Sequence, residues 1–179
     1  LVGAFSAAPM VIRQLGFDPA PMIAAAGLAL EVFDDPSNRI PYEGVLRLLN
    51  EAAVKTRCPH IGLLLGRMWR VPDLGLLGEL VRHSPTVGAA LQEFVVHHHL
   101  NSEGALAFVV DRESVVDLGY AVYLPFAGSY SQLYDGALAA LASFFRELCG
   151  DDWAPSAVFF SRSAPTDVAP YRDFFRAPL

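Results

Sequence analysis

An α+β domain with its helices first and a small antiparallel sheet late is the fold class this sequence predicts. Three observations carry it. Gly and Pro punctuate a series of helical apolar periods up to about residue 100, two β-rich runs flank a polar turn just after it, and one long apolar period follows at 130–149. The 179 residues are 53% hydrophobic and 18% charged, with a mean hydropathy of +0.34, which supplies enough apolar surface for one core at this length. No repeat, linker or low-complexity stretch divides the chain, so residues 1–179 read as one domain.

The elements follow in order. A short helix is expected over 5–15, closed by Gly16, and a second over 21–26, closed by Gly27. A turn-rich stretch, Asp34-Asp35-Pro36-Ser37-Asn38, comes next. After Ile40-Pro41, the residues Val45, Leu48, Leu49, Ala52 and Ala53 fall at helical spacing, and Glu43/Arg47 and Glu51/Lys55 form i,i+4 pairs on the opposite face. Two more short helices are read over 61–69 and 74–82. Ser84 is positioned to cap, and Pro85 to begin, a longer helix running to about Leu100. Runs 105–110 and 115–124 flank the polar turn Asp111-Arg112-Glu113-Ser114 and predict a hairpin. Strand alternation puts Leu118, Tyr120, Val122 and Leu124 on one face and Asp117, Gly119, Ala121 and Tyr123 on the other. The helix over 130–149 has apolar residues round most of its circumference, with Leu133, Ala137, Ala140, Leu141, Phe144 and Leu148 on one stripe and Leu138, Ala142 and Phe145 beside it. It must therefore be covered on two sides, by the sheet and by something else. A further strand is expected over 157–161 and a terminal helix over 168–175.

Composition excludes several classes of function. Thirteen basic against nineteen acidic side chains give a net charge of -6, and phosphate neutralisation needs clustered Lys and Arg, so nucleic-acid contact by this chain itself is not expected. No apolar run reaches the 18 or so residues needed to span a bilayer, and no partnership with membranes is expected. Residues 1–10 lack the pattern of a signal peptide and an initiator Met, so the sequence reads as a piece of a longer protein. Cys58 and Cys149 suit a reducing cytoplasm rather than a disulfide framework.

The motifs give no catalytic centre. His97-His98-His99 cannot chelate one ion, since consecutive helical residues point about 100° apart, and no metal or cofactor is expected. Gly62-Leu63-Leu64-Leu65-Gly66 has the spacing of close helix packing and is no phosphate loop. Nucleophile elbows, Walker loops and dinucleotide fingerprints are missing, and no two acids are placed by spacing for acid and base work. An enzyme would need a cleft with convergent titratable groups, and none is signalled.

Taken in order, the sequence has a pattern: Gly16-Phe17-Asp18, Gly27, Asp35-Pro36, Ile40-Pro41, Gly62-Leu63 with Gly66, Asp73-Leu74-Gly75-Leu76-Leu77-Gly78, Ser84-Pro85-Thr86, Ala90-Leu91, Trp153, Pro165 with Asp167, and Tyr171 with Phe174-Phe175. Nearly the whole chain thereby resembles the N-terminal effector-binding domain of AraC-family transcriptional regulators, of the subgroup labelled arabinose-binding-type. Its members include regulators of ornithine and other amine or amino-acid catabolism. The resemblance implies a cytoplasmic sensor of a small molecule that forms a homodimer and reaches DNA only through a C-terminal helix-turn-helix domain outside this sequence. The founding arabinose regulator senses sugar with a β-barrel, which a helical first half does not fit, so arabinose is not the expected ligand. An amine, an amino acid or a short organic acid is the class expected. A ligand-free dimerisation or protein-interaction module is the alternative reading.

The effector site is expected where the chain passes from helix to sheet at Asn101, between the hairpin and its flanking helices. Phe108, Tyr120, Tyr123, Tyr130 and His98 are its candidate lining residues. Aromatic walls would hold an apolar body there, and one imidazole with one or two phenols would bond a buried polar head.

Overall fold

The computed structural model describes residues 1–179, the side chain of Ala4 excepted. Among the described residues the elements run α1 (Ala8–Gln14), α2 (Pro19–Ala25), α3 (Tyr42–Lys55), α4 (Ile61–Met68), α5 (Leu76–Arg82), α6 (Val87–His97), β1 (Ala105–Arg112), β2 (Val115–Val122), α7 (Ser131–Cys149) and α8 (Ala169–Phe175). Single 3-10 turns at Gly3–Phe5, Leu30–Asp34, Val71–Leu74 and His98–Leu100 join them. The class is α+β, helices first and one antiparallel hairpin late, as the sequence predicts.

Local chemistry fixes the ends of several helices. The Asp18 carboxylate accepts from Ala20 N–H at 3.0 Å, with Pro19 preset for the first turn of α2. Gly27, at φ +76°, ends it in a conformation that residues with a Cβ rarely adopt. On α3 the stripe Val45, Leu48, Leu49 and Ala52 is buried, while Arg47 pairs with Glu43 at 2.6 Å and donates from Nε to the Ala26 carbonyl at 3.1 Å. That last bond ties α3 to the end of α2.

The capping expected of Ser84 is not found. Thr86 Oγ1 accepts from Ala89 N–H at 3.1 Å and caps α6, whereas Ser84 donates back to the Leu80 carbonyl at 3.1 Å in the last turn of α5. Pro85 lies before the cap, not at the first helical position. Gly78 sits at a close contact, because a Cβ there would lie 2.3 Å from the Val71 carbonyl oxygen. Gly75 faces open space and is required instead by its backbone, at φ +59°.

The tightest contact in the chain is the crossing of α4 and α7. A Cβ on Gly62 would stand 1.9 Å from the Gln132 carbonyl oxygen, and one on Gly66 2.3 Å from that of Gly136. Backbone therefore meets backbone. Gln132 of α7 uses its own amide to hold the start of α4, accepting from Gly62 N–H at 2.9 Å and donating to the Pro59 carbonyl at 2.7 Å. Ser143 Oγ donates to the Gly66 carbonyl at 3.2 Å. α4 is thus the main cover of α7, and the hairpin, expected in that role, leans chiefly on α6 and touches α7 lightly. The back of α7, at Ala139 and Ala142, is closed by Leu63, Val158, Tyr171 and Phe175, so both apolar stripes of α7 are covered within one chain. They supply no argument for a second copy.

β1 and β2 pair in the register Phe108↔Gly119, with Arg112 opposite Val115. Asp111 and Arg112 belong to the strand, so the expected four-residue turn shrinks to Glu113-Ser114, with Glu113 at φ +62°. Residues 157–161 form no strand. Val158 N–H donates to the Pro178 carbonyl at 2.9 Å, but no strand lies beside these residues among the described ones.

Gly66→Leu is expected to lower stability by about 3 kcal/mol, the upper end of the usual cost of overpacking, because the neighbour that must yield is backbone. Chemical denaturation checks this, and a variant within about 1 kcal/mol of the parent would contradict the crossing.

Candidate functional site

Two apolar clusters meet without filling the space between them. One, around α3 and α4, includes Val45, Leu49, Leu65 and Leu133; the other, around α5 and α6, includes Trp69, Phe94, Leu141 and Phe144. At their junction is a cavity of about 610 Å³ walled by all of these side chains, within the size range of small-molecule sites. The wall supplied by α7 carries Gly136, Ala137 and Ala140. Side chains this short do not reach across.

The polar end of the cavity is built by the 3-10 turn after α6 and by β2. His97 and His99 turn their rings to backbone carbonyls near the surface, and only His98 points in, its ring 5.2 Å from Phe94 and edge-on to Tyr120 at 5.5 Å. Neither ring nitrogen of His98 has a hydrogen-bond partner, nor does Ser102 Oγ. The hydroxyls of Tyr42 and Tyr120 lie 3.4 Å apart. Burial, helped by the neighbouring His99, holds the His98 imidazole down to about 4, and burial pushes both phenols up. All three groups are neutral near pH 7. Among the described residues, the ionised side chains on the lining are Arg39 and Glu103, paired with each other at 2.8 Å, and both are largely exposed at the rim.

Of the five residues expected here, His98 and Tyr120 line the cavity and the other three do not. Phe108 lies on the outer face of the hairpin, its ring over Gly119. Tyr123 is 59% exposed, with its hydroxyl donating to the Glu103 carbonyl. Tyr130 packs edge-on against Phe126 and donates to the Leu124 carbonyl at 2.7 Å. Strand alternation explains Tyr123, which has opposite parity to Tyr120, and register explains Phe108 through its pairing with outward Gly119. Tyr42, Ser102 and Trp69 are lining residues that sequence reasoning missed. The small residues at 136, 137 and 140 were the available signal, because a stripe that should be core is too thin there.

Away from the cavity, α7 carries a buried polar cluster. The Asp135 carboxylate accepts from Arg162 at 2.7 and 2.9 Å and from the Tyr171 hydroxyl at 2.6 Å. Burial pushes this carboxyl up, against the opposing pull of the Tyr171 and Arg162 bonds. The cluster clamps the segment leading into α8 against α7. No group of three or more His, Cys, Asp or Glu among the described residues is placed to hold a metal ion, and no helix among them is long and apolar enough to cross a membrane.

Over residues 16–179 the sequence matches the family described as the arabinose-binding domain of AraC transcription regulators, N-terminal. It is also similar to an ornithine utilization regulator of Pseudomonas aeruginosa, 25% identical over 170 residues that cover 92% of this chain and 49% of that protein. The chain spans about half the length of this curated relative.

Folded His98 stays neutral down to about pH 4, whereas an unfolded chain protonates it near 6.5. Its contribution to stability is complete above pH 6.5 and is lost as pH falls, on the order of 3 kcal/mol by pH 4. His98→Gln is therefore expected to flatten the decline in stability between pH 6.5 and 4. Denaturation curves of equal slope for both proteins would contradict the neutral, buried ring.

Proposed function

Because the chain belongs to the family of N-terminal arabinose-binding domains of AraC transcription regulators, we propose that it is a ligand-sensing domain whose effector occupies the cavity between α3, α4, α6 and α7. The observation that carries this reading is a roomy apolar cavity closed at one end by buried hydrogen-bonding atoms with no partner. Such atoms cost about 1–3 kcal/mol each when unpaired, and a ligand head group that bonds them recovers that cost. A ligand-free interaction module has no use for the space. The family is one of effector-binding regulatory domains, and a sensor, not a catalyst, is the role proposed here.

The mechanism is a shift of population. A ligand that binds one arrangement better, by a typical coupling of about 1–3 kcal/mol, biases how a DNA-binding domain joined to this one is held. α7 supports this route, since its cavity face carries Gly136, Ala137 and Ala140 while Asp135, on another face, grips the segment before α8. DNA contact is proposed only through that separate domain, and the cytoplasm is proposed as the location. Amines, amino acids and short organic acids were the expected effectors, and the neutral lining argues against those that would bring an unpaired charge inside.

A homodimer is part of the proposal, through the outward face of the hairpin. Leu106, Phe108, Val110 and Val115 on the outward face of the hairpin are each more than a third exposed, and a second copy pairing through this face would cover them.

In a thermal-shift screen of small organic molecules, at least one compound is expected to stabilise the chain, by about 2.7 kcal/mol at a hundred times its Kd. Ala137→Phe, which fills the cavity, should abolish the shift. A screen without hits, or hits unaffected by that change, would contradict the site. Light scattering at tens of micromolar is expected to give a dimer that Phe108→Asp converts to monomer; a monomeric parent would sink the dimer.

A further inference from the structure

The cavity's chemistry is one-sided in a way that restricts its ligand. Its walls are mostly aliphatic and aromatic from Val45 round to Phe144. The Gln132 and Asn101 amides on the lining are engaged with backbone, and the other polar side-chain atoms away from the rim are on His98, Ser102 and the paired phenols of Tyr42 and Tyr120. None of these four groups is ionised near neutral pH; the charges on the lining are the Arg39–Glu103 pair at the exposed rim and the half-buried Leu1 ammonium, which donates to the Asn101 carbonyl at 2.7 Å. An ammonium carried into this end would leave water without meeting a buried counter-charge, and a carboxylate would meet only the Leu1 ammonium, which is already bonded to the Asn101 carbonyl. A hydroxyl would lose nothing. It can accept from the N–H of the His98 ring and donate to Ser102 or a phenol, and a carbonyl oxygen can accept from His98 and Ser102 together.

We propose that the cavity takes a neutral, predominantly apolar molecule bearing one hydroxyl or carbonyl head group and discriminates against ions of the same shape. This rests on the reading of the cavity as the effector site. It separates this chain from any sensor of a free amino acid, whose two or more charges would find no side chain of opposite charge on the inner lining.

The test uses three probes with one body and three heads: 1-decanol, decanoate and decylammonium, titrated at pH 7.5 into the 179-residue chain carrying Trp153→Phe. Trp69, which lines the cavity, then reports binding by its fluorescence. 1-Decanol is expected to bind at least about tenfold more tightly than either ion, the size expected when a charged head goes unpaired. Ala137→Phe should abolish its binding. If that variant does not fold, 11-bromo-1-undecanol provides the same localisation by quenching Trp69 directly. Decanoate or decylammonium binding as tightly as the alcohol, and blocked by Ala137→Phe, would overturn the preference for a neutral ligand and leave the cavity as the site. Failure of all three probes to bind, or binding that neither Ala137→Phe nor bromine quenching places in the cavity, would overturn the site and the ligand class together.

Discussion

The structure depends on two helices that touch backbone to backbone. Because Gly62 and Gly66 have no side chains, α4 lies directly on the carbonyls of Gln132 and Gly136 in α7, and the Gln132 amide fastens the first turn of α4 from the opposite helix. This contact sets where α7 lies. With α7 fixed, Gly136 makes room for Gly62 of α4, and beside it the short side chains of Ala137 and Ala140 are left on the cavity wall, where a Leu or Phe would have closed the core. Its opposite side receives Leu63, Val158, Tyr171 and Phe175. Cavity and C-terminal segment therefore share one rigid element.

A void of this kind weakens a domain, since its lining forgoes contacts that a filled core would make. Buried His98 nitrogens and the Ser102 hydroxyl without partners add to the cost. Neither feature helps the chain to fold, and local rules are usually broken in this way where a site is needed. The contrast with Asp135 is informative. That carboxylate is fully buried too, yet Arg162 and Tyr171 satisfy it, so it holds structure together, whereas the His98 ring nitrogens have no partner.

Much of the fold was legible because it is local. Apolar spacing located α3 and α7, Gly27 marked the end of α2, and the β-rich runs located the hairpin. Long-range facts were not legible. Gly62 and Gly66 announced a close packing partner without naming it, and α7 was assigned to the sheet because sheet and helix are adjacent in sequence. Residues 157–161 have strand composition but no strand to pair with, and pairing is what makes a strand. Around the cavity, His98 and Tyr120 could be read as neighbours because the passage from helix to sheet places them together. Tyr123 failed by parity and Phe108 by register; Tyr42, 78 residues before Tyr120, could be brought to it only by tertiary packing.

The central claim is that α7 connects the contents of the cavity with the segment before α8. Hydrogen exchange, followed peptide by peptide with and without saturating 1-decanol, measures this directly. The account predicts slower exchange in two places at once, along α7 from Leu133 to Phe144 and across residues 158–175, which never touch the ligand. Protection confined to the residues that line the cavity, with 158–175 unchanged, would contradict it.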